Sequence, residues 1–366
     1  MQKFIIILFL CICILIGCQN QEIDKEQSSS EEPDDIEETM PEEDPTLMSL
    51  PIEITENEAR FSLADLISIT DGSYQFDPVH RTLSLKINED EFYLIDGVPV
   101  LERNGEYIAS NDIYLIVEGE QGEEEIYLPV QFIEDGLTIP IEFEENQIVF
   151  NWYGPTEKVG GPPLDFQYSD WTTTQVIDYL SFLEKPIEDA GISHIASHLP
   201  GAPRPYRNGF HEGIDWYDFA SGGDITTETP IYAMGEGIVV RADHDYVEYP
   251  SPEVRNKDLE YTAELGETPE FIFDRLRGRQ VWVQYPGGIM NRFAHLSGIP
   301  ETLQVGDAVD AKTIIGYVGN SGTSFAVDGQ LSGGLHLHQD LLIYGELFWK
   351  PFSQEEVSEI LQEIWN

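Results

Sequence analysis

The chain has 366 residues, with 19 Lys and Arg against 68 Asp and Glu, a formal charge of −49. Binding phosphate backbones needs clustered cations that such a chain lacks, so nucleic acid is excluded as a partner. With 41% apolar and 11% aromatic residues there is material for more than one buried core, and the length predicts two or three domains. The three cysteines, Cys11, Cys13 and Cys18, all lie at the extreme N-terminus, which leaves neither a disulfide framework nor a cysteine zinc cluster.

Residues 1–17 read as an export signal: Lys3, then an apolar run from Phe4 to Ile16 that is short for a membrane span. The ending Leu15-Ile16-Gly17-Cys18 resembles the bacterial lipoprotein cleavage box. That resemblance implies lipidation of Cys18 and a protein anchored to the outside of the bacterial cell membrane. Residues 18–50 hold about a dozen acids and almost no aromatics, the composition of a self-repelling disordered linker.

Folded sequence is expected from Pro51. A helix over Phe61–Ile67, a turn at Asp71-Gly72 and a strand over Thr82–Ile87 are followed by a second helix over Tyr127–Ile133, a turn at Asp135-Gly136 and alternation from Ile139 to Phe150. Between the copies, Asp96-Gly97 reads as a hairpin turn. This duplication over 51–152 resembles the small α+β domain named after the N-terminal part of copper amine oxidase, an accessory module without catalytic spacing. Residues 153–207 read as a connector with a helix capped by Asp170. From 208 to 353, short β-branched runs punctuated by glycine predict an all-β domain, two-sheet and barrel-like, and 354–366 a C-terminal helix. A polar, partly helical insertion from Asp245 to Arg279 interrupts the β pattern, and such long loops are usually functional or disordered. Its acids and Tyr261, Phe271 and Phe273 are candidates for shaping substrate choice, and trimming it should keep the metal.

Three segments of the β domain carry chemistry: HEGID (His211 to Asp215), AHLS (around His295) and HLH (His336 to His338). On a strand His211 and Asp215 share a face, as do His336 and His338, because side chains alternate. Zinc with three protein ligands and one open position is a catalytic site, and His211, Asp215 and one of the HLH pair could supply the three. Glu212 faces away on a strand, and the second histidine of a helical HExxH motif is missing.

In this order the segments resemble the lysostaphin-type zinc endopeptidases of bacterial cell walls, over about 208–353. The resemblance implies that His211, Asp215 and His338 bind Zn2+, that His295 and His336 are catalytic, and that the substrate is the peptide part of peptidoglycan. Leu335 and Gln339-Asp340 depart from the family's usual proline and Phe-Glu around HLH. Tyr206, a candidate transition-state tyrosine, has an offset from His211 unlike the family's. Two other readings compete: a catalytically silent wall-binding or amidase-activating lipoprotein of the same fold, and a biotin or lipoyl carrier using Lys312, which lacks flanking methionines.

Overall fold

The computed structural model describes residues 46–55, 58–120, 122–154 and 157–365. The signal segment and Cys18 lie outside these. Among the described residues no helix is long and apolar enough to cross a membrane.

The first strand, Thr46–Pro51, falls within the stretch expected to be linker. Its six residues pair antiparallel with Gln147–Trp152, which buries Leu50. Ser62 caps the helix Leu63–Thr70, with Asp71 in the left-handed region at its end. A five-stranded meander runs from Ser73–Asp77 to Glu106–Ile108, turning at Gly97. The second expected helix is not formed. Glu125–Pro129 is instead a strand between Ala59–Ser62 and Ile116–Glu118, and only a single π-type turn, Phe132–Gly136, follows it. Ladder partners on both sides outweigh the local spacing of apolar residues there.

The β pattern after residue 208 folds into a seven-stranded antiparallel sheet. Its order is Ile214–Trp216, Leu337–Ile343, Ile289–Ala294, Val281–Tyr285, Gly237–Ala242 and Ala308–Val309, with Glu346–Leu347 beside Leu337–Ile343. The sheet is open, which corrects the barrel-like expectation. Closure would need its two edge strands to meet, whereas Pro230–Tyr232 and Ile314–Tyr317 form a separate two-stranded pair. One face buries Trp216, Val283, Phe293, Gln339 and Leu341. Val176, Leu180 and Leu183 of the connector pack there, as do Val357, Ile360 and Trp365 of the last helix. The connector helix is Thr173–Leu180, and Thr172, not Asp170, caps it in a reciprocal box with Gln175.

The other sheet face positions the site. Alternation puts His338, Asp340 and Leu342 on it, together with Arg292, Met290 and Trp282. The meander packs at the Leu342 end, where Ile95, Val98, Val100 and Tyr107 bury against Val240, Trp282, Met290 and Leu342. Tyr107 meets Trp282 edge-on at 5.2 Å, and its backbone N–H donates to Gln284 Oε1 at 2.9 Å.

Candidate metal and catalytic site

At the opposite end of that face, His211, Asp215, His295, His336 and His338 line one groove of about 470 Å³. The sheet register brings the distant segments together, because Asp215 pairs directly with His338, and His338 pairs with Ala294, the residue before His295. His211 is held just ahead of the sheet by exchange of backbone hydrogen bonds with Gly201 and Ala202. Gly213 makes the approach possible: a Cβ there would lie 2.2 Å from the Gln339 carbonyl oxygen. Any other residue would push the HEGID segment off the strand that carries His338.

Three donor atoms converge. His211 Nε2 is 2.9 Å from Asp215 Oδ1 and 3.2 Å from His338 Nδ1, which is itself 2.9 Å from Asp215 Oδ1. Among the described residues this is the one cluster of three or more His, Cys, Asp or Glu that could hold a metal ion. A tetrahedral zinc with ligands at about 2.0–2.1 Å needs donor separations of about 3.3 Å, close to those present, and the two-nitrogen, one-carboxylate set suits zinc. The tautomers agree with this. The Leu199 carbonyl faces His211 Nδ1 at 3.2 Å and the Asp340 carboxylate faces His338 Nε2 at 2.7 Å, so each of these nitrogens donates and the other ring nitrogen keeps its lone pair for a metal.

His295 and His336 present their rings to the same space, 4.6 Å apart. Each Nδ1 donates to a carbonyl, that of Ser321 at 2.7 Å and that of Gly334 at 2.8 Å, so each Nε2 carries a lone pair. Burial, joined by the neighbouring imidazoles, pushes His295 well below its ordinary value, and burial lowers His336 as well. Both are therefore neutral at pH 7. His338 is the opposite case in the metal-free protein: burial opposes its charge, but Asp340 and Asp215 overcome that and raise it to about 9. Asp215 is held far below the carboxylate range, since His211 and His338 outweigh its burial.

Several side chains around the site were not singled out from the sequence. Tyr217 stacks on His336 at 4.3 Å and 12°, and the alternation that pairs 213 with 215 reaches it too. Arg204 donates to Asp215 Oδ2 at 3.3 Å. Asp340, fully buried, accepts from Arg277 Nε at 2.8 Å. Arg277 ends the insertion's second helix, Glu270–Arg277, and its carbonyl accepts the His295 N–H at 2.8 Å. The insertion is thus wired to a candidate ligand and to a candidate catalyst, which argues against the expectation that it can be trimmed with the metal kept.

The remaining candidates lie apart from the convergence. Glu212 is occupied by Arg207, at 2.6 and 3.1 Å, as expected for a side chain turned from the triad. Tyr206 lines the groove but is 60% exposed. Lys312 sits in a turn held by Asp310 and lines a separate depression.

No family model matches the sequence, and no curated protein matches it. Among solved structures, the catalytic domain of the antimicrobial peptidase lysostaphin from Staphylococcus simulans is similar at 20% identity, over 49% of this chain and 90% of that one, with a TM-score of 0.25. A zinc-containing peptidase from Vibrio cholerae is similar at 14% identity, over 82% and 68%, with a TM-score of 0.28. The M23 protein EnpA from Enterococcus faecalis, an A109H mutant catalytic domain, is similar at 20% identity, over 46% and 92%, with a TM-score of 0.27. At such identities and scores, the chemistry of the site rests on its own geometry.

Proposed function

We propose that the protein is a zinc-dependent endopeptidase that hydrolyses peptide bonds of peptidoglycan. The observation that carries this reading is the convergence of His211 Nε2, Asp215 Oδ1 and His338 Nδ1 within hydrogen-bond distance of one another, with two further neutral imidazoles facing the same space. In this reading His211, Asp215 and His338 hold Zn2+. A zinc ion there polarises a carbonyl and acidifies water.

The chain's own residues do the rest. His295 Nε2, with its lone pair free, takes a proton from the attacking water and returns it to the departing peptide nitrogen. His336 Nε2, neutral and with its lone pair free, accepts a hydrogen bond from the same water and holds it for attack, and the Nε2–H that His295 has gained is the donor the carbonyl oxygen meets as charge builds on it. Tyr217 fixes the plane of the His336 ring, and Arg204 occupies the Asp215 oxygen that faces away from the triad. The lowered values of His295 and His336 keep both in the basic form at neutral pH.

The substrate assignment and the location rest on the family-like motifs and on the Leu15-Ile16-Gly17-Cys18 segment. The protein is proposed to be tethered through a lipid on Cys18, outside the bacterial membrane, and to act on wall peptides rather than nucleic acid. Metal analysis of the purified protein, combined with digestion of a wall suspension, tests this. About one zinc per chain and release of new amino termini are expected. Zinc-loaded protein that releases none would favour a silent wall-binding role.

A further inference from the structure

We propose that Arg255 binds a free carboxylate of the substrate peptide beside the scissile bond, so that the groove selects acidic peptides over neutral ones. This rests on the endopeptidase reading. Four arginines line the groove: Arg204, Arg207, Arg255 and Arg277. Three are neutralised within the protein: Arg204 by Asp215 at 3.3 Å, Arg207 by Glu212 at 2.6 Å, and Arg277 by Asp340 at 2.8 Å. Arg255 differs. Among the described residues no carboxylate lies within ion-pair distance of it, and its one side-chain hydrogen bond runs from Nε to the Gly322 carbonyl at 2.9 Å.

Within the groove that isolation sets Arg255 apart, although outside it Arg279 and most of the described lysines also have no ion pair. Its charge is the one arginine charge in the groove that no carboxylate of the described residues holds at ion-pair distance. A guanidinium fixed through Nε presents both Nη nitrogens as a fork, the geometry that a carboxylate matches with two parallel hydrogen bonds. The groove also has to attract its substrate against a field of −49, and a cation without an ion pair supplies that attraction locally, with Glu248 held instead on the Gly322 N–H at 2.9 Å.

The anchor sets the position of the fork. Gly322 O, which holds Arg255, belongs to the residue after Ser321, whose carbonyl holds His295 Nδ1. Adjacent Cα atoms are about 3.8 Å apart, so one turn of chain carries both the base and the cation. A carboxylate on Arg255 therefore sits on a residue at or next to the bond that His295 serves. The Arg255 helix, Pro252–Leu265, belongs to the insertion, which places specificity on that element.

Disaccharide-peptide dimers with free stem carboxylates, and the same dimers after carbodiimide-driven amidation with ammonia, provide the test. The zinc-loaded full chain is assayed on both. The wild type is expected to favour the free form in kcat/KM by about 10-fold or more, mostly through KM, the size expected of a hydrogen bond to a charged group. Arg255→Met should bring the ratio to within about twofold of one, while Arg255→Lys keeps part of it and both variants retain zinc. Amidation turns each carboxylate into a neutral amide and these dimers carry no phosphate, so the ratio reads the carboxylate, and an amidated form cleaved better than the free one would overturn the proposal. So would a wild-type ratio near one, or an Arg255→Met variant with the wild-type ratio. If Arg255→Met does not fold, Arg255→Gln, which keeps a donor for Gly322, decides in its place. A wild type that cleaves neither form removes the endopeptidase reading and this proposal together, whereas one that cleaves both equally removes this proposal alone.

Discussion

Replacing Arg277 by methionine removes the cation that faces a fully buried carboxylate. Asp340 has its Oδ2 on Arg277 Nε at 2.8 Å and its Oδ1 on His338 Nε2 at 2.7 Å, with Arg292 Nη1 further off at 4.0 Å. Breaking a buried ion pair from one side costs about 3–5 kcal/mol, because the remaining charge is left without compensation. Arg292 still faces Asp340, so the lower end, about 3 kcal/mol, is expected in urea unfolding. The second consequence is functional. Asp340 fixes the orientation and tautomer of His338, and loss of such a supporting contact lowers metal affinity by about 10–100-fold. Chelator competition on the folded variant measures that loss. Adding Asp340→Asn to Arg277→Met removes the orphaned charge and should recover much of the stability, but not the affinity. A single variant within about 0.5 kcal/mol of the wild type, with unchanged zinc affinity, would refute the reasoning.

Three further outcomes follow from the site. The acid limb of kcat/KM should lie below pH 6.5, the ordinary imidazole value, because His295 and His336 have lowered values and must be neutral to act; a limb above 6.5 in a pH profile contradicts their assignment. Gly213→Ala should weaken zinc binding and stability together, since its Cβ would meet the Gln339 backbone at 2.2 Å, and wild-type zinc content with a wild-type unfolding curve would show that the close approach is not needed. His295→Ala and His336→Ala should keep zinc yet lose about 100-fold in turnover, whereas His211→Ala, Asp215→Ala and His338→Ala should lose the metal, as read by metal analysis of each purified variant. Zinc lost from His336→Ala and kept by His338→Ala would invert the roles of the HLH pair.

The site was more legible in the sequence than the fold around it. Spacing alone puts His336 and His338 on one strand face, and the same alternation runs on to Asp340. Tyr217, two residues after Asp215, is within reach of the same rule. Arg277 was not within reach: its partner lies 63 residues away, and only the packing of an inserted helix onto the sheet joins them. The Asp215 and His338 register is likewise a long-range pairing that no local pattern encodes. The expected helix at Tyr127–Ile133 failed because apolar spacing over seven residues fits a buried strand as well as a helix, and the neighbouring strands decide. Thr172 and Gln175 spelled a capping box, a stronger signal than the acid at 170. An open sheet and a closed barrel differ only in whether two edge strands meet, which strand patterns do not record.

The central claim is that this groove cuts peptide bonds and needs its metal to do so. Purified peptidoglycan is incubated with the zinc-loaded protein, with the same protein after chelation, and with the chelated protein after zinc is restored, and the soluble fragments are read by mass spectrometry. Fragments with new peptide amino termini in the first and third samples, and none in the second, are the predicted result. Equal fragment patterns in all three samples, or fragments cut only within the glycan strand, would contradict it.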